Sequence, residues 1–288
     1  MSKLYVVPTP IGNLGDMTNR AVETLNSCDL ILAEDTRHTQ KLLNYFNIKT
    51  KMISYHKFNE KQRSEEIIHK LLNEDINAAL VTDAGTPCIS DPGYELVREV
   101  REKGIEVIGL TGASALTTAL SISGIETYEF AFYGFLPRKK SELDTALKRV
   151  LNNPVKTFVF YESPKRIISL IENIKIHMPN STLCVCKELT KIHEKTFYGN
   201  VDDVLEQLNN HGDVEKGEYV IVGYNNDYKE KGDTDIQVSL HAILFDKLFK
   251  NEYSLKEAVN EAALEGIASK NEAYKASLEI KKIIEKLR

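Results

Sequence analysis

The stretch Ala78-Ala79-Leu80-Val81-Thr82-Asp83-Ala84-Gly85-Thr86-Pro87-Cys88-Ile89-Ser90-Asp91-Pro92-Gly93 decides how the rest of the chain is read. Four apolar residues stop at an aspartate, a glycine and two prolines, and an amphipathic segment runs from Tyr94 to Val100. That order predicts a buried strand, a tight loop and a helix. In a parallel sheet the carboxyl end of a strand opens into the crevice where ligands bind. Gly85 and Gly93 permit backbone conformations and close approaches that a Cβ blocks, while Pro87 and Pro92 fix φ and stiffen the loop.

The charge of this loop narrows its guest. It carries Asp83 and Asp91 and no basic residue. A phosphate cradle uses backbone N–H groups, a helix N-terminus and usually a lysine, so a phosphate fits poorly. A carboxylate at a strand end suits a pair of ribose hydroxyls or a cation, and S-adenosylmethionine offers both. The plainer alternative is that Asp83 caps a turn and the loop is structural.

Upstream, Leu4-Tyr5-Val6-Val7 predicts a strand that runs into Pro8-Thr9-Pro10-Ile11-Gly12-Asn13-Leu14-Gly15-Asp16, a loop with neither the dinucleotide fingerprint nor a Walker lysine. Thr18 can cap a helix with Ala21, Val22 and Leu25 on one face. Leu30-Ile31-Leu32-Ala33 ends in the polar cluster Glu34 to His38. Lys51-Met52-Ile53 leads to a second, Ser54 to Glu60, and then to a helix with Ile67, Ile68, Leu71 and Leu72 inward. Downstream, Glu106 to Leu110 and Thr111-Gly112-Ala113-Ser114-Ala115 add a fifth strand and the entry to a helix. Strands alternating with helices predict a parallel α/β domain over residues 1–123. The pattern then restarts. Strands at Glu129–Tyr133, Val155–Tyr161, Leu183–Cys186, Thr196–Gly199 and Glu218–Val222, with a helix over Arg138–Leu151, predict a mixed α/β domain over 124–225. Cys184 and Cys186 read as sheet packing. Residues 226–288 read as a polar linker and helices at His241–Phe249, Ser254–Leu264 and Lys270–Leu287.

Composition supports this division. Of 288 residues, 42% are hydrophobic and 27% charged, enough apolar material for more than one core. No apolar run approaches the roughly 18 residues that span a bilayer, and no signal peptide is evident, so a cytoplasmic location and no membrane partner are expected. Four scattered cysteines suggest no disulfide framework, and seven histidines, none paired at i, i+4, give no zinc signature; no metal is expected. A net charge of −5 disfavours indiscriminate binding to naked nucleic acid.

Taken together, Pro8 to Asp16, Glu34-Asp35-Thr36-Arg37, Asp83-Ala84-Gly85-Thr86-Pro87 with Ile89-Ser90-Asp91-Pro92-Gly93, Gly112-Ala113-Ser114-Ala115, Tyr161-Glu162-Ser163-Pro164 and Lys187-Glu188-Leu189-Thr190-Lys191 resemble the tetrapyrrole methylase superfamily, and within it the enzymes that modify ribosomal RNA. The resemblance covers the whole chain. It implies two α/β domains with S-adenosylmethionine in the cleft between them, a small C-terminal helical segment, and a homodimer. It implies 2′-O-methylation of a cytidine ribose in the decoding centre of small-subunit RNA. By the same likeness the cofactor touches Pro8, Asp83, Ala84, Gly85, Thr86, Ile89, Ser114, Ala115 and Tyr161, with further contacts near Tyr219-Val220. Cys88 stands where such proteins frequently have glycine.

Since a sulfonium already activates its methyl group, the protein's main task is placement of the nucleophile, an effect worth about 7–11 kcal/mol. A ribose hydroxyl also benefits from a base or a nearby cation. Candidates are Glu162, Lys165, Lys187, Glu188, His56 and His193; the catalytic pair chosen is Lys165, with Glu162 setting its charge state. The competing account is a surface pair around Pro164, with His193 on a polar loop. Arg37-His38, Arg138-Lys139-Lys140 and Lys165-Arg166 are available for RNA phosphates, or are helix-surface charge. An acidic protein of this kind should prefer an assembled ribosomal particle to free RNA. Two rivals stand: a methyltransferase of the same fold acting on a tetrapyrrole or a protein side chain, and a non-catalytic ribosome-associated nucleoside-binding factor.

Overall fold

The structure, a computed structural model, describes residues 2–229, 240–250 and 253–287. Its first sheet contains β1 (Lys3–Val6), β2 (Leu30–Ala33), β3 (Met52–Ser54), β4 (Asn77–Val81) and β5 (Glu106–Gly109) in the order β3-β2-β4-β1-β5, all parallel. Helices α1 (Asn19–Ser27), α2 (Thr36–Tyr45), α3 (Glu60–Asn73), α4 (Tyr94–Glu102) and α5 (Ala115–Ile122) follow the five strands in turn. Both faces of this sheet are covered: Leu25, Ile31 and Ala79 belong to one core, and Leu32, Ile67, Leu80 and Leu96 to the other. Double burial is why its central strands read as unbroken apolar runs and not as alternation.

The second sheet is β6 (Phe130–Phe135), β7 (Thr157–Glu162), β8 (Thr182–Lys187), β9 (Lys195–Asn200) and β10 (Tyr219–Tyr224), ordered β6-β7-β10-β8-β9. Only β6 and β7 pair in parallel, which gives the mixed directions expected. Helices α6 (Lys140–Leu151), α7 (Ile167–His177) and α8 (Val201–Asn209) complete it. A separate core fastens the sheets together, with Ile11, Ala119 and Leu120 from the first half against Val159, Cys184, Cys186, Val220 and Val222 from the second. Both thiols are fully buried there. The chain forms two compact units, Met1–Tyr228 and Lys229–Arg288.

In the second unit α9 (Leu240–Lys250), α10 (Leu255–Leu264) and α11 (Lys270–Leu287) pack around Leu244, Ala258, Val259, Ala262, Ala273, Ala276 and Ile280. Most of the expected linker, residues 230–239, lies outside the described residues. No described helix is long and apolar enough to cross a membrane.

Several local expectations need correction. Helices α2 and α8 were not foreseen, because their first turns are largely polar and read as loop; both begin at side-chain caps, Asp35 accepting from the Arg37 N–H in α2 and an Asn200–Asp203 capping box in α8. Leu72 is 52% exposed, not inward. The buried stripe of α3 runs through Ser64, Ile67, Ile68 and Leu71, and at 100° per residue Leu72 falls about a quarter-turn off it. Strand β6 continues past Tyr133 to Phe135 through a register shift between Phe132 and Gly134, which breaks the alternation a strand reading follows.

The expected cap on α1 is present: Thr18 Oγ1 accepts from the Ala21 N–H at 3.1 Å. Thr18→Ala should destabilise the protein by about 1 kcal/mol, with Thr18→Ser recovering most of it, as read from the urea midpoint.

Candidate active site

The site grows from three loops at the carboxyl ends of β4, β1 and β5, which are neighbours in the sheet. The first two are zipped by a short antiparallel bridge, with Thr9 N donating to Gly85 O (2.9 Å) and Gly85 N to Thr9 O (3.0 Å). Thr9 Oγ1 donates to Thr82 O at 3.0 Å, and Thr86 Oγ1 to Ala113 O at 3.1 Å, which ties in the third loop. Across to β2, Thr82 Oγ1 donates to Glu34 Oε2 at 2.7 Å and Asp83 Oδ1 accepts from the Asp35 N–H at 3.1 Å. The rim is thus held by many bonds before any ligand arrives.

Gly93 shows why the loop needs its composition. Its φ is +126°, and a Cβ there would lie 2.5 Å from Leu80 Cδ2. Cys88 and Ser90 also have positive φ, 70° and 67°, a region that disfavours side chains. That geometry explains why glycine suits position 88, and it leaves a cysteine holding mildly strained backbone beside the site.

The rim closes one side of a cavity of about 580 Å³, within the range of small-molecule sites. The other side is the second sheet: Phe135 from β6, Tyr161 and Glu162 at the end of β7, and Tyr219-Val220 at the start of β10. The Tyr161 ring packs edge-on against Phe132 and Phe135 at centroid distances of 4.9 and 5.7 Å. Burial pushes its hydroxyl up in pKa, opposed by a hydrogen bond to the Leu116 backbone on α5.

Five carboxylates line this cavity, Glu34, Asp83, Asp91, Glu162 and Glu218, and among the described lining residues there is no lysine, arginine or histidine. Two are neutralised from outside. Glu162 is 2% exposed, accepts from Ser163 N at 2.7 Å, and has Arg166 Nη2 at 3.0 Å from Oε2, a charge contact off the N–H axis; Lys191 Nζ holds Glu218 at 2.9 Å. Glu34, Asp83 and Asp91 have no cationic partner among the described residues. Asp91 pays for this crowding in its protonation: burial first, then the Glu34 and Asp83 charges, push its carboxyl up to about 7, against a lowering hydrogen bond from Thr82. Such a wall favours a cationic guest, and its aromatic side favours one that also carries a flat ring. The residues fit S-adenosylmethionine.

Of the residues expected from sequence, Asp83, Ala84, Gly85, Thr86, Ile89, Ser114, Ala115, Tyr161 and Glu162 share this one cavity. Pro8 does not line it. Its ring is buried under the third loop, where a Cβ on Gly112 would come within 2.7 Å of Pro8 Cβ. The expected pairing of Glu162 with Lys165 also needs correction. Lys165 is exposed and off the cavity wall, while Arg166, four residues past Glu162 at the N-cap of α7, takes the carboxylate. The remaining candidates lie elsewhere. Lys187 is buried and donates to His211 Nε2 (2.9 Å) and Asp213 O (2.6 Å); Glu188 holds Lys191; His193 is exposed on a loop; His56 does not line the cavity. Glu34, Asp91, Phe135 and Glu218 were missed as lining residues. Of the three acids, Glu34 and Asp91 stood inside the motifs named above, and the number of acids was the available signal.

A family model described as Tetrapyrrole (Corrin/Porphyrin) Methylases matches residues 3–205. The chain is 41% identical over 278 residues to "Ribosomal RNA small subunit methyltransferase I" of Escherichia coli O157:H7, covering 96% of this chain and 95% of that protein. The protein of the same name from Bacillus subtilis strain 168 is 38% identical over 278 residues, with coverage of 96% and 94%. Among solved structures, a uroporphyrin-III-C-methyltransferase from Thermus thermophilus aligns with a TM-score of 0.53 at 19% identity, over 76% of this chain and 93% of that one. At that identity the likeness speaks for the fold alone. With a matched family model over more than half its length and relatives alike from end to end, the chain belongs to the tetrapyrrole methylase family.

Proposed function

We propose that the protein methylates small-subunit ribosomal RNA, at the ribose 2′-hydroxyl of a decoding-centre cytidine, working as a homodimer on the assembled particle. The methyl donor of the family is S-adenosylmethionine. The observation that carries methyl transfer is the cavity wall of five carboxylates without a basic residue, which suits a sulfonium and an ammonium and repels phosphates. The choice of RNA as acceptor is supported by the relatives' likeness over nearly the full chain.

When bound, the donor supplies a methyl carbon on positively charged sulfur; the acceptor oxygen bonds to it as the carbon–sulfur bond breaks onto sulfur, and the hydroxyl proton is released to water. The residues serve this step by placement. The zipped loops at Thr9–Gly85 and Thr86–Ala113 fix one wall, and Glu162, clamped by Ser163 and Arg166, is a rigid point on the other. Glu34, Asp83 and Asp91 are proposed to attract the cationic centres. Lys165, in solvent, is assigned no proton transfer.

Incubation with methyl-labelled donor and small-subunit particles tests this. Label should enter RNA, digest to 2′-O-methylcytidine, and enter particles faster than naked RNA. Label in a base, in protein, in a tetrapyrrole or nowhere overturns the reading.

A further inference from the structure

A second cavity, of about 600 Å³, adjoins the first and shares Ile11, Asp83, Ala84 and Glu218 with it. Its remaining wall has a different character. His38, Lys41, Leu42 and Tyr45 lie on one face of α2, at the i, i+3, i+4 and i+7 positions that put side chains in a row. His38 and Lys41 are exposed, and neither has an ion-pair partner among the described residues. Tyr45 is 63% exposed and Leu14, on the facing loop, 40%. Arg37 stands at the edge, 89% exposed, tied to Asp35 at 2.8 Å. Between His38 and Lys41, Thr39 is 2% exposed and lines the same cavity, and its Oγ1 has no hydrogen-bond partner. A buried, unsatisfied hydroxyl at a cavity wall wants a polar guest.

We propose that this second cavity receives the acceptor nucleotide, an inference that rests on the RNA-methylating reading above. The nucleotide's base lies against Tyr45 and Leu14, its flanking phosphates meet Lys41 and His38, and a sugar or base polar atom meets Thr39 Oγ1. The charge balance of the two chambers sorts their ligands: the first has carboxylates and no basic lining residue and takes the cationic donor, whereas in the second Lys191 is paired with Glu218 and Lys41 is left to meet a phosphodiester. Asp83-Ala84, on the wall of both, marks where the two substrates come together. An exposed tyrosine ring beside an unpaired lysine is the arrangement that binds single-stranded nucleic acid, by stacking and phosphate contact together.

The test uses the full-length protein and Tyr45→Ala, Tyr45→Phe, Lys41→Ala and Thr39→Val. Label transfer to particles is read as KM and kcat, donor binding by calorimetry, and affinity for a short cytidine-containing single-stranded RNA by fluorescence anisotropy against salt. Tyr45→Ala should raise KM for the particle about fivefold to tenfold, with Tyr45→Phe restoring it, while donor affinity stays within twofold. Lys41→Ala should weaken RNA binding and flatten the log–log salt slope by about 0.7, the loss of one phosphate contact. Thr39→Val should raise KM without shifting the unfolding midpoint downward. Unchanged KM and salt slope in these variants overturn the inference, as does an equal loss of donor binding, which would make the cavity part of the donor site. If the wild-type protein labels no RNA yet binds the oligonucleotide through Tyr45 and Lys41, the functional reading fails and the nucleotide site stands; if it labels RNA and the variants behave like wild type, the reverse holds.

Discussion

Asp83→Asn is expected to lower affinity for S-adenosylmethionine about 30-fold to 100-fold and to reduce methyl transfer at subsaturating donor by the same factor. The substitution is nearly isosteric. Asparagine keeps an Oδ1 that can go on accepting from the Asp35 N–H, so the tie between the loops after β4 and β2 survives. What disappears is a carboxylate on a cavity wall that has no basic lining residue. A hydrogen bond or contact to a charged partner contributes about 1.5–3 kcal/mol, or about 10-fold to 150-fold in affinity, and the expected loss lies in the upper half of that range. Calorimetric titration with the donor, beside a thermal melt, checks it: the affinity should fall while the melting temperature stays within a few degrees. Asp83→Ala serves as the contrast, since it also strips the Asp35 N–H of its acceptor and should lower the melting temperature. Unchanged donor affinity in Asp83→Asn would remove Asp83 from the binding site.

The half of the site on the first sheet was legible because its physics is local. An apolar run that stops at Asp83-Ala84-Gly85-Thr86-Pro87 fixes a strand end, and a parallel sheet gathers its strand ends on one rim, so Ser114-Ala115 had to come near Asp83 once both followed strands. The second half depends on long-range placement. Phe135 reaches the cavity only because β6 shifts register at Gly134, and Glu218 only because β10 enters the sheet between β7 and β8. The choice between Lys165 and Arg166 as partner of Glu162 turned on the geometry of the turn between β7 and α7, where the Arg166 N–H bonds back to Ser163 O and its guanidinium returns to the carboxylate at the strand end. Pairs that share a cavity without sharing a sequence neighbourhood, such as Glu34 with Asp91, leave no periodic mark. Their only trace was an excess of acid over base in loops that a common rim then collects.

That excess makes donor binding pH-dependent in a specific direction. With its carboxyl pushed up to about 7 by burial and by Glu34 and Asp83, Asp91 is largely protonated in the free protein at pH 6. A bound cation favours the ionised form, so the proton must leave when the donor arrives, and affinity rises as pH climbs through 7. If the bound state holds Asp91 ionised down to about pH 5, affinity should increase about 20-fold from pH 5.5 to 8, with proton release detectable as a buffer-dependent heat. Stability of the free protein should run the other way. Below about pH 4 the carboxyl is protonated in both folded and unfolded chains; between 4 and 7 the unfolded chain has released the proton and the folded one has not, so each rise in pH favours unfolding until the effect is complete above 7. Its size is about 2 kcal/mol once solvent screening of a partly exposed group is allowed for. Asp91→Asn should abolish both trends together: donor affinity becomes nearly flat in pH at its low-pH value, and the free protein gains stability at pH 8. A variant with flat affinity but unchanged stability would place Asp91 in contact with the donor without crowding by its neighbours. Affinity that still climbs through pH 7 would assign the titration to another group and end this account of the acidic wall.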